Sequence, residues 1–266
     1  MQKLIHLVMD YAPGDLACAE VVSALAAQIP ADYHWHITSV ASFDTVSTGF
    51  VVAQLALQSD RLRPKDTLIY ANCAPRKDRR EARNNNEGEG FLYGVLSSGV
   101  GVMGVNSGSS FSFIREEIQE LWTLKVDVGG SQFRSRDNFP QLVGQAARGE
   151  RDFLVERLDP LKVISPPPDS SVGYIDSFGN LKTTIREGNS LLSSLEPGQR
   201  VSIVINDVEM AATVAAGSFN VQEGDIAFSP GSSGHDRKYW EIFQRGGSAW
   251  HTYRKPRPGA QITIKT

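Results

Sequence analysis

The 266-residue chain predicts a layered α/β domain followed by a small antiparallel β-barrel, and three observations predict it. Strand-like and helical hydrophobic patterns alternate in the N-terminal part, as a layered α/β domain requires. A triple proline, Pro166-Pro167-Pro168, then interrupts the chain with residues that have no N–H to donate to a sheet. Beyond it come seven short β runs with Gly and Pro between them and no helical pattern longer than two turns, which is the mark of a small barrel.

Leu4 to Met9 is an apolar run of strand length, and Leu16 to Ile29 has helical spacing with Ala and Leu on one face. Trp35 to Val40 predicts the next strand and Val51 to Gln58 the next helix. Thr67 to Ala71 and Phe91 to Met103 add strand candidates, and Phe113 to Leu121 has a helix-favouring composition. Pro75 to Gly90 is rich in Arg, Lys, Glu and Asn with almost no apolar residue, which predicts a solvated or mobile loop. Gly99 to Gly104 mimics a dinucleotide fingerprint but lies in a β-rich stretch, so strand and turn is the reading. The domains are therefore 1–165, a stiff extended spacer at 166–171, and 172–266. In the last of these, Val172 to Ile175, Leu181 to Ile185, Arg200 to Ile205, Val208 to Val214, Ile226 to Ser229, Tyr239 to Gln244 and Gln261 to Lys265 are the strands.

A net charge of −3 offers no basic surface for a phosphate backbone, which argues against a nucleic-acid partner. Cys18 and Cys73 are too few for a disulfide framework or a cysteine-based zinc site. His34 and His36 share a strand face with no third ligand beside them, and a surface or interface role fits them better than a metal site. With no signal-peptide layout and nowhere ~18 consecutive apolar residues, the expectation is a cytoplasmic protein without a membrane anchor.

The most informative stretch is Gly173 to Ile185, a strand, a tight turn and a strand in which the turn carries Asp176, Phe178 and Asn180. These side chains suit a polar ligand, although Asp, Gly and Asn also serve turns for their own sake. They have company. Asp10 closes the first strand, Asp15 follows five residues on, Phe133-Arg134-Ser135-Arg136-Asp137-Asn138-Phe139 stands mid-chain, and Ser232-Ser233-Gly234 comes late. Together, in this order, these features resemble the SAM hydroxide adenosyltransferase family, which also contains the fluorinase and chlorinase halogenases. The resemblance runs from Asp10 to about Ala249, nearly the whole chain, and marks a divergent member.

What the resemblance implies is a Rossmann-like α/β domain followed by a C-terminal β-barrel, assembled as a homotrimer with SAM or adenosine at the subunit interface and no cofactor. Asp10 then matches the aspartate on the ribose hydroxyls, while Asp15 and Asp176 match carboxylates near the methionine amine. Phe178 and Asn180 match the residues that meet adenine, and Ser232 and Ser233 those that bind the methionine carboxylate. Gly246, with Gly247 and Ser248, matches the turn whose backbone reads the base. A plain turn explains Gly246 as well, and a helix N-cap or turn role remains open for Asp10. His235 to Lys238 looks inserted beside the serines, and Val105 to Gly108 replaces the family's usual turn.

The implied chemistry is displacement at C5′ of the ribose with methionine leaving as a neutral thioether, so the nucleophile must be held in line and desolvated. Family members that use hydroxide employ an aspartate, an arginine and a histidine. Here the matching positions hold Asn72, Arg79 and Arg134. Neither an amide nor a guanidinium with pKa above ~12 can take a proton from water, so general-base activation by Asn72 and Arg134 is excluded. Three readings stay open. Asn72, Arg79 and Arg134 orient water, giving adenosine and L-methionine; the same pocket with Ser135 accepts a halide, giving a 5′-halo-5′-deoxyadenosine; or catalysis is lost and a SAM- or adenosine-binding protein remains. A reading from another class is a trimeric structural or regulatory module, which expects Asp10, Asp15 and Asp176 to be exposed and unrelated in space.

Overall fold

The computed structural model describes residues 2–58, 63–77, 80–82, 88–127 and 129–265. The chain divides into two compact units, Met1–Pro166 and Pro167–Thr266, each with its own sheet and core.

The first unit contains β1 (Lys3–Met9), α1 (Leu16–Ala26), β2 (Tyr33–Ser39), α2 (Thr45–Leu57), β3 (Thr67–Asn72), β4 (Phe91–Leu96), β5 (Gly101–Val105), β6 (Ile118–Leu124), α3 (Arg134–Asp137), α4 (Phe139–Ala147), β7 (Leu154–Leu158) and α5 (Pro160–Val163). Its sheet runs β2-β1-β3-β5-β4-β6-β7. β2, β1, β3 and β5 are mutually parallel, while β4, β6 and β7 join antiparallel. Every residue of β3 is buried, as befits a strand covered on both faces, so it reads as a continuous apolar run rather than an alternating one. Ile5, Leu7 and Met9 of β1 share a core with Val21 and Leu25 of α1 and with Leu142 and Val143 of α4. α2 packs on β1 and β3, and its Gly49 is forced by contact: a Cβ there would lie 2.0 Å from the Ser109 carbonyl oxygen.

The connection from β1 through α1 leads to one side of β1, and the connection from β2 through α2 leads back to β3 on the other. The strand order therefore reverses between β1 and β3. Ligands of open α/β sheets bind at the carboxyl ends of the strands at such a switch point, and Asp10 and Asn72 stand there, since Met9 and Asn72 are register partners.

The stretch from Phe113 to Leu121, expected as a helix, is instead a single 3₁₀ turn at Ser112–Ile114 followed by β6. Ile118, Leu121 and Leu124 are the buried residues of β6, a three-residue spacing that imitates a helix. A register shift opposite Val95 and Leu96 inserts an extra residue and breaks the two-residue period of a strand. The expected strand from Phe91 to Met103 is a hairpin, β4 and β5, turned at Gly99 with φ +94°. α4 and β7 had no counterpart in the sequence reading. In the Pro75 to Gly90 stretch, residues 80–82 are exposed as expected, but Glu89 is buried.

The second unit holds β8 (Val172–Ile175), β9 (Leu181–Arg186), β10 (Arg200–Ile205), β11 (Val208–Val214), β12 (Ile226–Pro230), β13 (Tyr239–Gln244), a short helix α6 (Ala249–Thr252) and β14 (Ile262–Lys265). They form one curled sheet, β14-β10-β11-β12-β13-β9-β8, a half-barrel around Val172, Ile203, Ile205, Phe228, Ile242 and Tyr253. An isolated bridge between Ser171 and Gln261 joins the two ends of the strand order. The sheet is antiparallel except where β11 meets β12, which the sequence did not foretell. Among the described residues no helix is long and apolar enough to cross a membrane.

Candidate functional site

A cleft of about 870 Å³ opens over the carboxyl ends of β1 and β3. Asp10 lines it one residue past the end of β1, with 9% of its surface exposed. Its carboxylate accepts the Phe43 N–H at 3.0 Å. Burial nevertheless outweighs this bond and the favourable influence of the neighbouring Cys73 and Ala74, and raises its pKa above the ordinary aspartate value. Asp10 is not a helix cap; Asp15 and Asp44 cap α1 and α2, accepting from Ala17 N–H at 2.8 Å and Ser47 N–H at 2.9 Å. Asp15 also lines the cleft, through the exposed N-terminus of α1.

The floor is polar. Asn72, buried at the end of β3, accepts the Ser135 hydroxyl on Oδ1 at 3.0 Å and donates from Nδ2 to the Tyr11 hydroxyl at 3.1 Å. Tyr11 follows Asp10 directly, and its ring meets Phe133 edge-on with centroids 6.1 Å apart. Burial raises the phenol pKa. The same cause drives the Cys73 thiol far up, so Cys73 stays protonated and is no nucleophile. Arg134 donates to the Glu89 carbonyl oxygen at 3.2 Å and its guanidinium lies over the Phe139 ring at 5.0 Å. Arg136 bridges α3 to α1 through Glu20 at 3.1 Å and pairs with Asp137 at 2.6 Å, and this arginine, with hydrogen bonds from Ser131, holds the Asp137 carboxyl far below its usual range. Arg79 lies outside the described residues.

Among the described residues lining this cleft, Asp10, Asp15, Glu20, Glu81 and Glu89 stand against Arg76 and Arg134. Phe43, at its mouth, is 59% exposed and holds φ at +64°, a left-handed conformation that costs a non-glycine residue about 1 to 3 kcal/mol and collects at functional sites.

The second unit carries a separate cleft of about 780 Å³, lined by Phe178, Asn180, Ser232 and Gly246 among others. Asp176 does not line it. Its Oδ1 accepts the Phe178 and Asn180 backbone N–H groups and its Oδ2 the Asn180 side-chain amide, all at 3.0 Å, so it braces the turn and leaves Asn180 to offer its carbonyl edge. Gly179, at φ +79°, has no space for a Cβ, which would fall 2.0 Å from Ser248 Oγ, and the Trp250 N–H donates to its carbonyl at 2.8 Å. The turn is thereby locked and projects Phe178, 78% exposed. Ser232 is exposed toward the cleft, whereas Ser233 is buried and its carbonyl accepts the Tyr239 N–H. In the loop from His235 to Lys238, the Arg237 guanidinium donates to the Glu187 carbonyl.

Sequence reasoning missed Tyr11, Phe43 and Phe219. Phe219 is 83% exposed, lines the second cleft and lies under the Arg245 guanidinium at 5.5 Å. Its signal was an aromatic ring set between Gly217-Ser218 and Asn220, the same polar-turn setting that marks Phe178.

No protein-family model and no curated protein matches the chain. Solved structures do. An uncharacterized conserved protein from Thermotoga maritima superposes with a TM-score of 0.76 at 17% identity, over 98% of this chain and 99% of that one. A conserved hypothetical protein from Thermus thermophilus does so with a TM-score of 0.69 at 17% identity, over 99% and 100%. At such identities the likeness is one of fold.

Proposed function

We propose that the protein binds S-adenosyl-L-methionine and catalyses attack of water at its C5′ carbon, releasing adenosine and L-methionine. The observation that carries this reading is the placement of buried Asp10 at the β1/β3 switch point, in a cleft where carboxylates outnumber guanidinium groups among the described residues. SAM brings a sulfonium, an ammonium and a ribose diol. A carboxylate that accepts both diol hydroxyls gains two charge-assisted bonds, each worth roughly 1.5 to 3 kcal/mol when partly buried, and a negative lining attracts the two cations. The exposed rings of Phe178 and Phe219 at the second cleft suit the flat face of a base. With the sequence resemblance, this favours a homotrimer in which a neighbouring chain's half-barrel completes the site.

The reaction balances without an acid. The water oxygen bonds to C5′, the C5′–S electron pair leaves with sulfur as a neutral thioether, and one proton passes to solvent. The chain's part is to hold ligand and water in line. A second reading, SAM or adenosine binding without turnover, draws on Arg134, whose guanidinium is engaged with the Glu89 carbonyl and the Phe139 ring. Incubating the protein with SAM and separating products by chromatography decides between them: adenosine with equimolar methionine supports hydrolysis, and intact SAM with saturable calorimetric binding supports the second. SAM neither bound nor consumed overturns both and leaves the structural-module alternative.

A further inference from the structure

His6 stands in the middle of β1, and the two-residue alternation of a strand turns it away from the core face that holds Ile5, Leu7 and Met9. It is buried, with 8% of its surface exposed, and neither ring nitrogen has a hydrogen-bond partner. Buried polar groups in native proteins are nearly always paired, so such a ring asks for a partner. What faces it is another imidazole. His6 and His36 are register partners in the parallel pair β1 and β2, so both side chains leave the same face of the sheet, and their ring centroids lie 6.3 Å apart at 68°. His34 stands two residues back along β2 on that face. β2 is the edge strand, and His34 and His36 are both exposed. The sequence order gives these two no companion; strand register supplies one.

We propose that His6 and His36, joined by His34, bind a divalent transition ion of the zinc type at the edge of the first sheet. Imidazole nitrogen suits such an ion, whereas magnesium and calcium take oxygen ligands. A ligating imidazole must be neutral, and burial, with the neighbouring His36, lowers the His6 pKa below the ordinary histidine value. Among the described residues no three His, Cys, Asp or Glu side chains already surround a metal position. The site is therefore an open one, in which buried His6 is the fixed ligand and the exposed histidines swing to meet the ion. Tetrahedral zinc, with bonds of about 2.0 to 2.1 Å to each ring nitrogen, needs the two rings about 1 Å closer than they stand. Rotation of the exposed His36 side chain supplies that distance. His6 precedes Asp10 by four residues, roughly 13 Å along a strand, so the site stands apart from the proposed SAM chemistry and does not depend on it.

The test titrates the full-length protein, free of any polyhistidine extension, with zinc chloride and separately with magnesium chloride, by calorimetry in a buffer that does not chelate metals. The expected result is equimolar zinc uptake, no response to magnesium, and a Tm that rises with zinc, as binding to the native state requires. His36→Gln is expected to weaken zinc binding at least tenfold and His34→Gln at least threefold, each with the zinc-free Tm unchanged. His6→Leu removes the fixed ligand and the unpaired nitrogens together, and is expected to abolish equimolar uptake while holding or raising the zinc-free Tm. Should His6→Leu not fold, nitrogen-15 NMR of the histidine rings of the unmodified protein replaces it, with zinc shifting the His6 signals. No zinc uptake overturns the proposal. So does uptake that survives in the His34→Gln/His36→Gln double variant, and so does affinity unchanged in His6→Leu or His6 signals that zinc leaves in place, either of which reduces the site to the surface pair alone.

Discussion

Asp10 holds its charge where charge is costly. Its raised pKa means that folding is penalised once the unfolded aspartate ionises, so stability falls as pH rises from the ordinary aspartate value through the raised native one. Asp10→Asn removes that penalty and keeps the shape. The expected outcome is a Tm at pH 7 equal to or above that of the unmodified protein, measured by calorimetry, with SAM affinity reduced at least tenfold. A lower Tm with unaltered binding would reverse the assignment and make Asp10 a structural residue. Asp15 carries two tasks, capping α1 and facing the cleft. Asp176 is a brace for Asn180 rather than a lining group, a division of labour between two acids that their shared residue type conceals.

At the scale of elements, β6 is the place where local pattern and tertiary structure disagree. Leu121 pairs with Gly94 of β4 and Leu158 of β7 and is fully buried. Leu121→Ala is expected to cost about 2 to 5 kcal/mol by chemical denaturation, the usual range for a buried leucine, whereas the helix reading leaves no reason for so large a loss. Of the parallel strands, β1 and β3 were legible because continuous apolar runs have few other uses, and all seven half-barrel strands were legible because glycine and proline punctuate them. β6 was not, since its bulge spaces buried residues three apart. α4 did leave a trace: Pro140 in the first turn and Phe139, Leu142, Val143 and Ala147 on one face. The motif reading of Phe133 to Phe139 passed over it. For the site, Asp10, Asn72 and Ser135 were legible one by one, but their convergence with Tyr11 arises from strand register and from the return of α3 to the sheet, which no local window contains.

For the whole molecule, the function proposed above assigns the cationic end of SAM to the cleft of the first unit and its flat end to the exposed aromatic rings at a neighbouring chain's second-unit cleft. The trimer proposed above predicts a particle of about three times the chain mass in solution, measured by light scattering coupled to size exclusion. A monomer that still consumes SAM would remove the shared-site arrangement and keep the chemistry. Phe43 adds a consequence for anyone improving this protein. Its backbone suits glycine, so a search for heat resistance that scores melting temperature alone will favour Phe43→Gly, and the survivors will be sturdier molecules with a bare doorway where a ring once stood.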